Sequence, residues 1–329
     1  MQAENTDHID TLLGSSTRRP RLLSAGIIAA IAALLIPAWA SAQTEQKDPN
    51  QNPGKADAKS AIAPAQNLGK VGAKLSNPVA DLWALFTEFD VSFYDGNSQQ
   101  GDEPVGSAML FQPVMPFPLT DDLRLITRPT IPIVWSQPRP DGFDKTNRDS
   151  GIGDITVPLL IAPQMDNWIF AIGPTLNMPT STNDALGRQQ WALGPALGVG
   201  YKTDAWILGA FPQYFWKIGS RGDKNNEVKD ASYMSFLWWG YLNLPNAWQV
   251  GTNPTITYDH QAESGNRWNV PIGITVAKTV SIGGWPVKFQ VGAEYSVVSQ
   301  DDFGKRMNFK LNIIPVIPGL LKKPIFGGR

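Results

Sequence analysis

Acid–base or nucleophilic chemistry at neutral pH most often draws on histidine, and the chain holds two, His8 and His260. His8 precedes the cleavage site argued below. His260 lies in Asp259-His260-Gln261-Ala262-Glu263-Ser264, where a strand runs into a loop. A hydrolase triad needs nucleophile, base and orienting acid held in mutual reach. Nothing around this stretch supplies that framework, and a solvated loop histidine is the better reading. No catalytic residue is assigned. Metal chemistry is similarly poor. The chain has no cysteine, which removes thiolate ligands and disulfides. The loop acids Asp95, Asp102, Glu103, Asp149, Asp154, Asp301 and Asp302 lack calcium-loop spacing. They read as solvated charge rather than as a calcium site or an ion bridge to lipopolysaccharide. Neither a metal nor a cofactor is expected.

A second set of charges stands on alternating segments. Glu88 and Asp90 share one parity, as do Arg124 and Arg128, Gln249 and Asn253, and Lys288 and Glu294; Lys310 shares its parity with Asn312. An Arg or Lys facing lipid costs about 2–4 kcal/mol at the bilayer midplane, so the first nine of these, Glu88 through Lys310, are expected to point into a lumen. Glu88 and Asp90 should find Arg124, Arg128 or Lys310, because the first and last strands become neighbours when a barrel closes. Two readings stay open, a salt-bridged filling and a polar path for a small solute. About twelve strands lie between filled eight-stranded barrels and open sixteen-stranded ones.

The elements that carry these residues repeat every second position. In Trp248 to Asp259 one parity reads Trp248, Val250, Thr252, Pro254, Ile256, Tyr258; the other reads Gln249, Gly251, Asn253, Thr255, Thr257, Asp259. Successive side chains of a strand face opposite sides, so one face is mostly apolar and the other polar. Twelve such segments fit, near 85–94, 107–117, 123–136, 154–162, 168–178, 191–202, 206–217, 232–242, 248–259, 268–278, 286–298 and 307–317. Each is close to the 9 to 11 residues of a tilted membrane strand. Longer polar loops alternate with short turns, as in outer-membrane barrels. This alternation places both termini in the periplasm.

Tryptophan supports the same geometry. Trp168, Trp206, Trp248 and Trp285 follow or occupy short turns, and Trp135, Trp191, Trp216 and Trp268 adjoin long loops. They are expected to form two girdles, one per interface. Mid-strand prolines such as Pro113, Pro129, Pro158, Pro174, Pro195, Pro212, Pro254 and Pro271 cannot donate to a ladder. Bulges or short breaks are expected there.

Charged residues make up 17 % of the chain, below the roughly 25 % of a soluble domain. The net charge of -1 gives no basic surface for nucleic acid. A basic cluster at Arg18, Arg19 and Arg21, an apolar run from Leu22 to Ile36, and Ala38-Trp39-Ala40-Ser41-Ala42 form a signal peptide over 1–42, cleaved after Ala42. Residues 43–75 read as a flexible periplasmic leader whose second half can form a short amphipathic helix. The barrel is placed at 76–318 and a C-terminal tail at 319–329.

Several stretches resemble a known family. They are Asn77-Pro78-Val79-Ala80-Asp81-Leu82, Gln112-Pro113-Val114-Met115-Pro116-Phe117, Ser150-Gly151-Ile152-Gly153-Asp154, Trp191-Ala192-Leu193-Gly194-Pro195, Trp268-Asn269-Val270-Pro271 and Gly283-Gly284-Trp285-Pro286-Val287. In this order they are similar to bacterial outer-membrane "transporter" proteins, often labelled "neuromedin U" and related to those of phenol meta-cleavage pathways. The resemblance covers roughly 75–317. It implies a barrel with a presumed transport role and carries no catalytic residues.

The expectation is therefore an all-β protein: a single transmembrane antiparallel up-and-down barrel of about twelve strands in the outer membrane. It would be surrounded by lipid and lipopolysaccharide and folded by the barrel assembly machinery. The leading function is a channel or transporter for small, including hydrophobic, solutes. A closed structural or adhesive barrel is the alternative, and a lipid-modifying enzyme comes third. The solute itself is not legible.

Overall fold

The computed structural model describes residues 67–98, 104–140, 146–221, 229–321 and 323–326. The expected signal peptide, most of the leader, Asp102 and Glu103 lie outside the described residues.

Alternation over the expected segments yields twelve antiparallel strands. They are β1 (Ala84–Asp95), β2 (Val105–Pro118), β3 (Leu123–Thr127 and Ile131–Pro140), β4 (Thr146–Ile152 and Ile155–Pro163), β5 (Trp168–Met178) and β6 (Gln190–Lys202). They continue as β7 (Trp206–Ser220), β8 (Ser232–Leu244), β9 (Trp248–Thr252 and Thr255–Asp259), β10 (Trp268–Ile282), β11 (Trp285–Val298) and β12 (Gly304–Pro315). Each strand pairs with its sequence neighbours, and β1 pairs with both β2 and β12. The sheet thus closes through Glu88↔Asn312, Asp90↔Lys310 and Ser92↔Asn308. Closure leaves no edge, which is the condition for a sheet in hydrocarbon.

Two of the three two-piece strands, β3 and β9, carry out the expectation for proline, whereas Pro113, Pro158, Pro174, Pro195 and Pro212 lie within unbroken strand pieces. In β3 the ladder to β2 stops after Thr127 and resumes at Ile131, skipping Arg128, Pro129 and Thr130. In β9 the break is at Asn253-Pro254, where the Pro254 carbonyl accepts from Trp238 N at 3.2 Å. In β4 it falls at Gly153-Asp154. Register shifts also occur at Phe93/Tyr94, Ser107/Ala108, Trp191/Ala192 and Val270/Pro271.

The β10–β11 connection differs from expectation. The sequence reads as a seven-residue turn from Thr279 to Trp285, but β10 continues to Ile282 and only Gly283-Gly284 turn. Both have positive φ, 58° and 83°, as the tight hairpin that suits strand twist requires. All five short connections lie at one end, so the contrast in loop length holds along the whole chain.

Residues 67–75 form a helix that lies inside the barrel, where a flexible leader was expected. Leu75 and Val71 pack with Ala84, Phe86, Ile314 and Val316 on the wall. Gly72 meets β10 so closely that a Cβ would stand 2.4 Å from Thr279 Oγ1. Val79 then reaches the opposite wall and joins Ile126, Leu160, Ala171, Ala196, Phe211 and Trp239. The inserted segment crosses the lumen at its short-turn end, and the domain boundary drawn at 75/76 falls within it. The tail returns to the same end, where Ile325 N and Phe326 N donate to the carbonyls of Pro118 and Leu119.

Ile274, at mid-β10, is 60 % exposed on the outer face, whereas Ile282 ends the strand. Ile274→Arg is expected to lower stability by about 2–4 kcal/mol and Ile282→Arg by about 0–1 kcal/mol. Urea titration of the protein folded into lipid vesicles measures both; equal costs would contradict this orientation.

Candidate lumen site

The inward parity of β1, β9, β11 and β12 builds a polar wall, and that of β7 and β8 a more apolar one, in which Gln213 and Ser235 alternate with larger apolar and aromatic side chains. From β7 come Phe211 and Phe215, and from β8 Tyr233, Leu237 and Trp239. Between the walls lies a cavity of about 720 Å³. Glu88, Asp90, Glu294, Asn308 and Lys310 line one side; Pro158, Phe211, Phe215 and Leu237 line the other. Tyr94, Gln300, Phe303 and Lys305 carry the lining towards the long-loop end. A smaller space of about 100 Å³ continues below it, bounded by Leu75, Ser76, Trp239, Tyr241 and Asn253. The inserted N-terminal segment forms its floor.

The nine expected lumen residues divide into levels. Glu88, Asp90, Arg128, Glu294 and Lys310 surround the main cavity. Lys310 pairs with Glu294 at 2.6 Å and reaches Glu88 at 4.0 Å. Asp90 accepts from Asn308 Nδ2 at 2.8 Å, and Asn308 Oδ1 in turn accepts from Ser92 Oγ. Arg128 binds Gln112 Oε1 and lies over the Phe86 ring at 4.5 Å, rather than pairing with a carboxylate. Gln249 and Lys288 meet the inserted segment, and Asn253 lines the smaller space. Arg124 is not brought to this group. It donates to the Thr120 carbonyl at 3.1 Å and lines a separate vestibule at the short-turn end with Lys74, Asp81 and Asp122.

The eight tryptophans expected to form girdles all stand exposed on the outer face. His260 finds its place among them. Its ring is 5.6 Å from Tyr214 and 4.5 Å from Tyr258, which touch Trp216 and Trp268 in turn. The Asp259 carboxylate is held by Arg188 at 2.5 Å instead of by His260. Of the acids read as loop charges, Asp149 accepts from Arg139 Nε and Asn183 Nδ2. Asp154 accepts from Ser181 N and Arg188 N. No group of acids and histidines that could hold a metal occurs among the described residues.

Sequence reasoning allowed a short helix at the end of the leader but missed its insertion into the lumen, and it missed the more apolar wall. Both parities of β8 are apolar, so alternation alone does not say which faces in. For the helix a signal existed: Leu68, Val71 and Leu75 follow helical spacing, with Gly72 and Ser76 as a small-residue pair beside them.

Comparison with known proteins bears on this architecture. Residues 111–302 match the family model described as "Putative MetA-pathway of phenol degradation". The chain belongs to this family. Its fold is similar to that of an outer membrane channel from Pseudomonas putida F1, with a TM-score of 0.52 at 15 % identity, covering 71 % of this chain and 94 % of that one. The toluene transporter TodX of Pseudomonas putida aligns at a TM-score of 0.34 and 11 % identity, covering 74 % of this chain and 92 % of that one. No curated protein sequence matched. The family member is thus a closed twelve-stranded barrel of the outer-membrane type.

Removing Lys310 would strand Glu294 and Glu88. Breaking a buried pair costs about 3–5 kcal/mol, and the cavity on one side favours the low end. Lys310→Met is expected to destabilise by about 3 kcal/mol, with partial recovery on adding Glu294→Gln. Urea unfolding in vesicles checks this; an unchanged midpoint for the single variant would contradict the pairing.

Proposed function

We propose that this protein is an outer-membrane channel for small solutes that have both an apolar body and a polar or charged group. The observation that carries this reading is the two-sided cavity. A purely polar path would have no use for Phe211, Phe215 and Leu237 on one wall. A purely structural filling would close about 720 Å³ of space, since protein interiors pack densely. Ligand sites typically combine an apolar lining with a few placed polar groups, and Glu88, Asp90, Arg128, Glu294 and Lys310 supply those here. Lipid and lipopolysaccharide would surround the outer apolar band, after export by a cleaved signal and folding by the assembly machinery. The role is transport rather than catalysis, because Asp259 and His260 are committed to Arg188 and to the aromatic girdle.

The second reading, a closed structural barrel, is favoured by the inserted segment that floors the lumen. Flux separates the two. In vesicles carrying the purified mature barrel, small aromatic acids and amines should equilibrate faster than sugars of similar size. Ser235→Trp, which fills the cavity from β8, should slow that flux by roughly tenfold while heat-modifiable gel migration persists. Equal flux with and without the tryptophan would overturn the channel reading.

A further inference from the structure

Lys288 has no exposed surface, and no carboxylate lies within ion-pair distance of it among the described residues. Its Nζ donates to Ser76 Oγ at 2.6 Å and lies 3.5 Å from the Gly72 carbonyl. The Tyr241 ring centroid is 4.8 Å away. Both oxygens belong to the inserted N-terminal segment. Ser76 Oγ lies within donating distance of two acceptors, Gln249 Oε1 at 3.1 Å and the Gly72 carbonyl at 3.3 Å.

A buried ammonium is costly unless a counter-charge and hydrogen bonds compensate. Compensation here is partial. Ser76 accepts one charge-assisted bond, the carbonyl end of the helix adds a fractional negative charge, and Tyr241 offers its ring face. An ammonium has three donors. With the segment withdrawn, Lys288 would stand in the wet lumen and regain water. Seating the segment therefore strips water from a cation and returns only part of that hydration.

We infer that Lys288 sets how readily the N-terminal segment leaves the lumen: it keeps the closed state weak enough to be reversible. Ser76 acts in the opposite sense, as the acceptor that makes closure tolerable. An apolar residue at 288 would remove the desolvation cost and keep the packing of the long side chain, so it should lock the segment in. An apolar residue at 76 would leave the ammonium buried without its best acceptor, so it should drive the segment out. This rests on the channel reading, as regulation of the same lumen.

The chain lacks cysteine, so Val79→Cys gives a single thiol buried under the segment's far contact. The full mature barrel in lipid vesicles is labelled with a water-soluble maleimide. Relative to the Val79→Cys parent, added Lys288→Met should slow labelling by roughly tenfold, and added Ser76→Val should speed it by roughly tenfold. Lys288→Arg, which keeps the charge, should label within a few fold of the parent. Faster or unchanged labelling with Lys288→Met would overturn the inference, as would Ser76→Val labelling at the parent rate. Heat-modifiable migration confirms that each variant forms the barrel. Labelling reads the segment and not the solute, so absent flux sinks the channel reading without altering this result.

Discussion

Hydrocarbon contains no water to satisfy a backbone N–H or C=O, and each one left unpaired there costs several kcal/mol. A sheet meets that demand only by closing on itself. Here β1 lies between β2 and β12, and most other properties follow from that ring. Closure gives every strand one face to lipid and one to the lumen. It sends Glu88 and Asp90 of β1 to the side where Lys310 of β12 also points. It forces the outward positions to be apolar at mid-height and aromatic at the rims, with Trp216, Tyr214, His260, Tyr258 and Trp268 forming a continuous rim contact.

Twelve strands leave an interior too wide for side chains alone to fill. The two ends resolve this differently. At the short-turn end the N-terminal segment enters, with Gly72 allowing its helix to lie against Thr279 and Val79 bridging to the far wall. Towards the long loops the interior stays open as the two-sided cavity. The polar network around Lys310 fixes one wall, and the aromatic face of β7 and β8 fixes the other. The proline break in β3 brings Arg128 to the joint between the larger and smaller spaces, and that in β9 brings Asn253 to the smaller one.

Much of this was legible because the physics is local. A strand's two faces alternate, so Trp248 to Asp259 betrays its orientation within a dozen residues. Glycine pairs, loop acids and interfacial tryptophans mark where strands end. Proline predicts an interrupted ladder at Pro129 and Pro254 without a partner strand being known. What escaped depended on distant contacts. Residues 67–75 are small and polar enough to pass for a leader, and only the opposing Thr279, Gln249 and Lys288 give Gly72 and Ser76 meaning. Tyr233, Leu237 and Trp239 were unassignable because Met234, Phe236 and Trp238 on the opposite parity are equally apolar. Arg124 and Arg128 share a face, yet their distance along β3 sends them to different chambers.

The claim under all of this is closure between the first and last strands. Amide hydrogen exchange on the barrel in lipid vesicles tests it most directly. The account predicts that the paired stretches Thr87 to Phe93 and Met307 to Ile313 exchange as slowly as the β10–β11 hairpin, because each strand has partners on both sides. Rapid exchange confined to β1 and β12, with the hairpin protected, would mean an open sheet and would contradict the structure at its foundation.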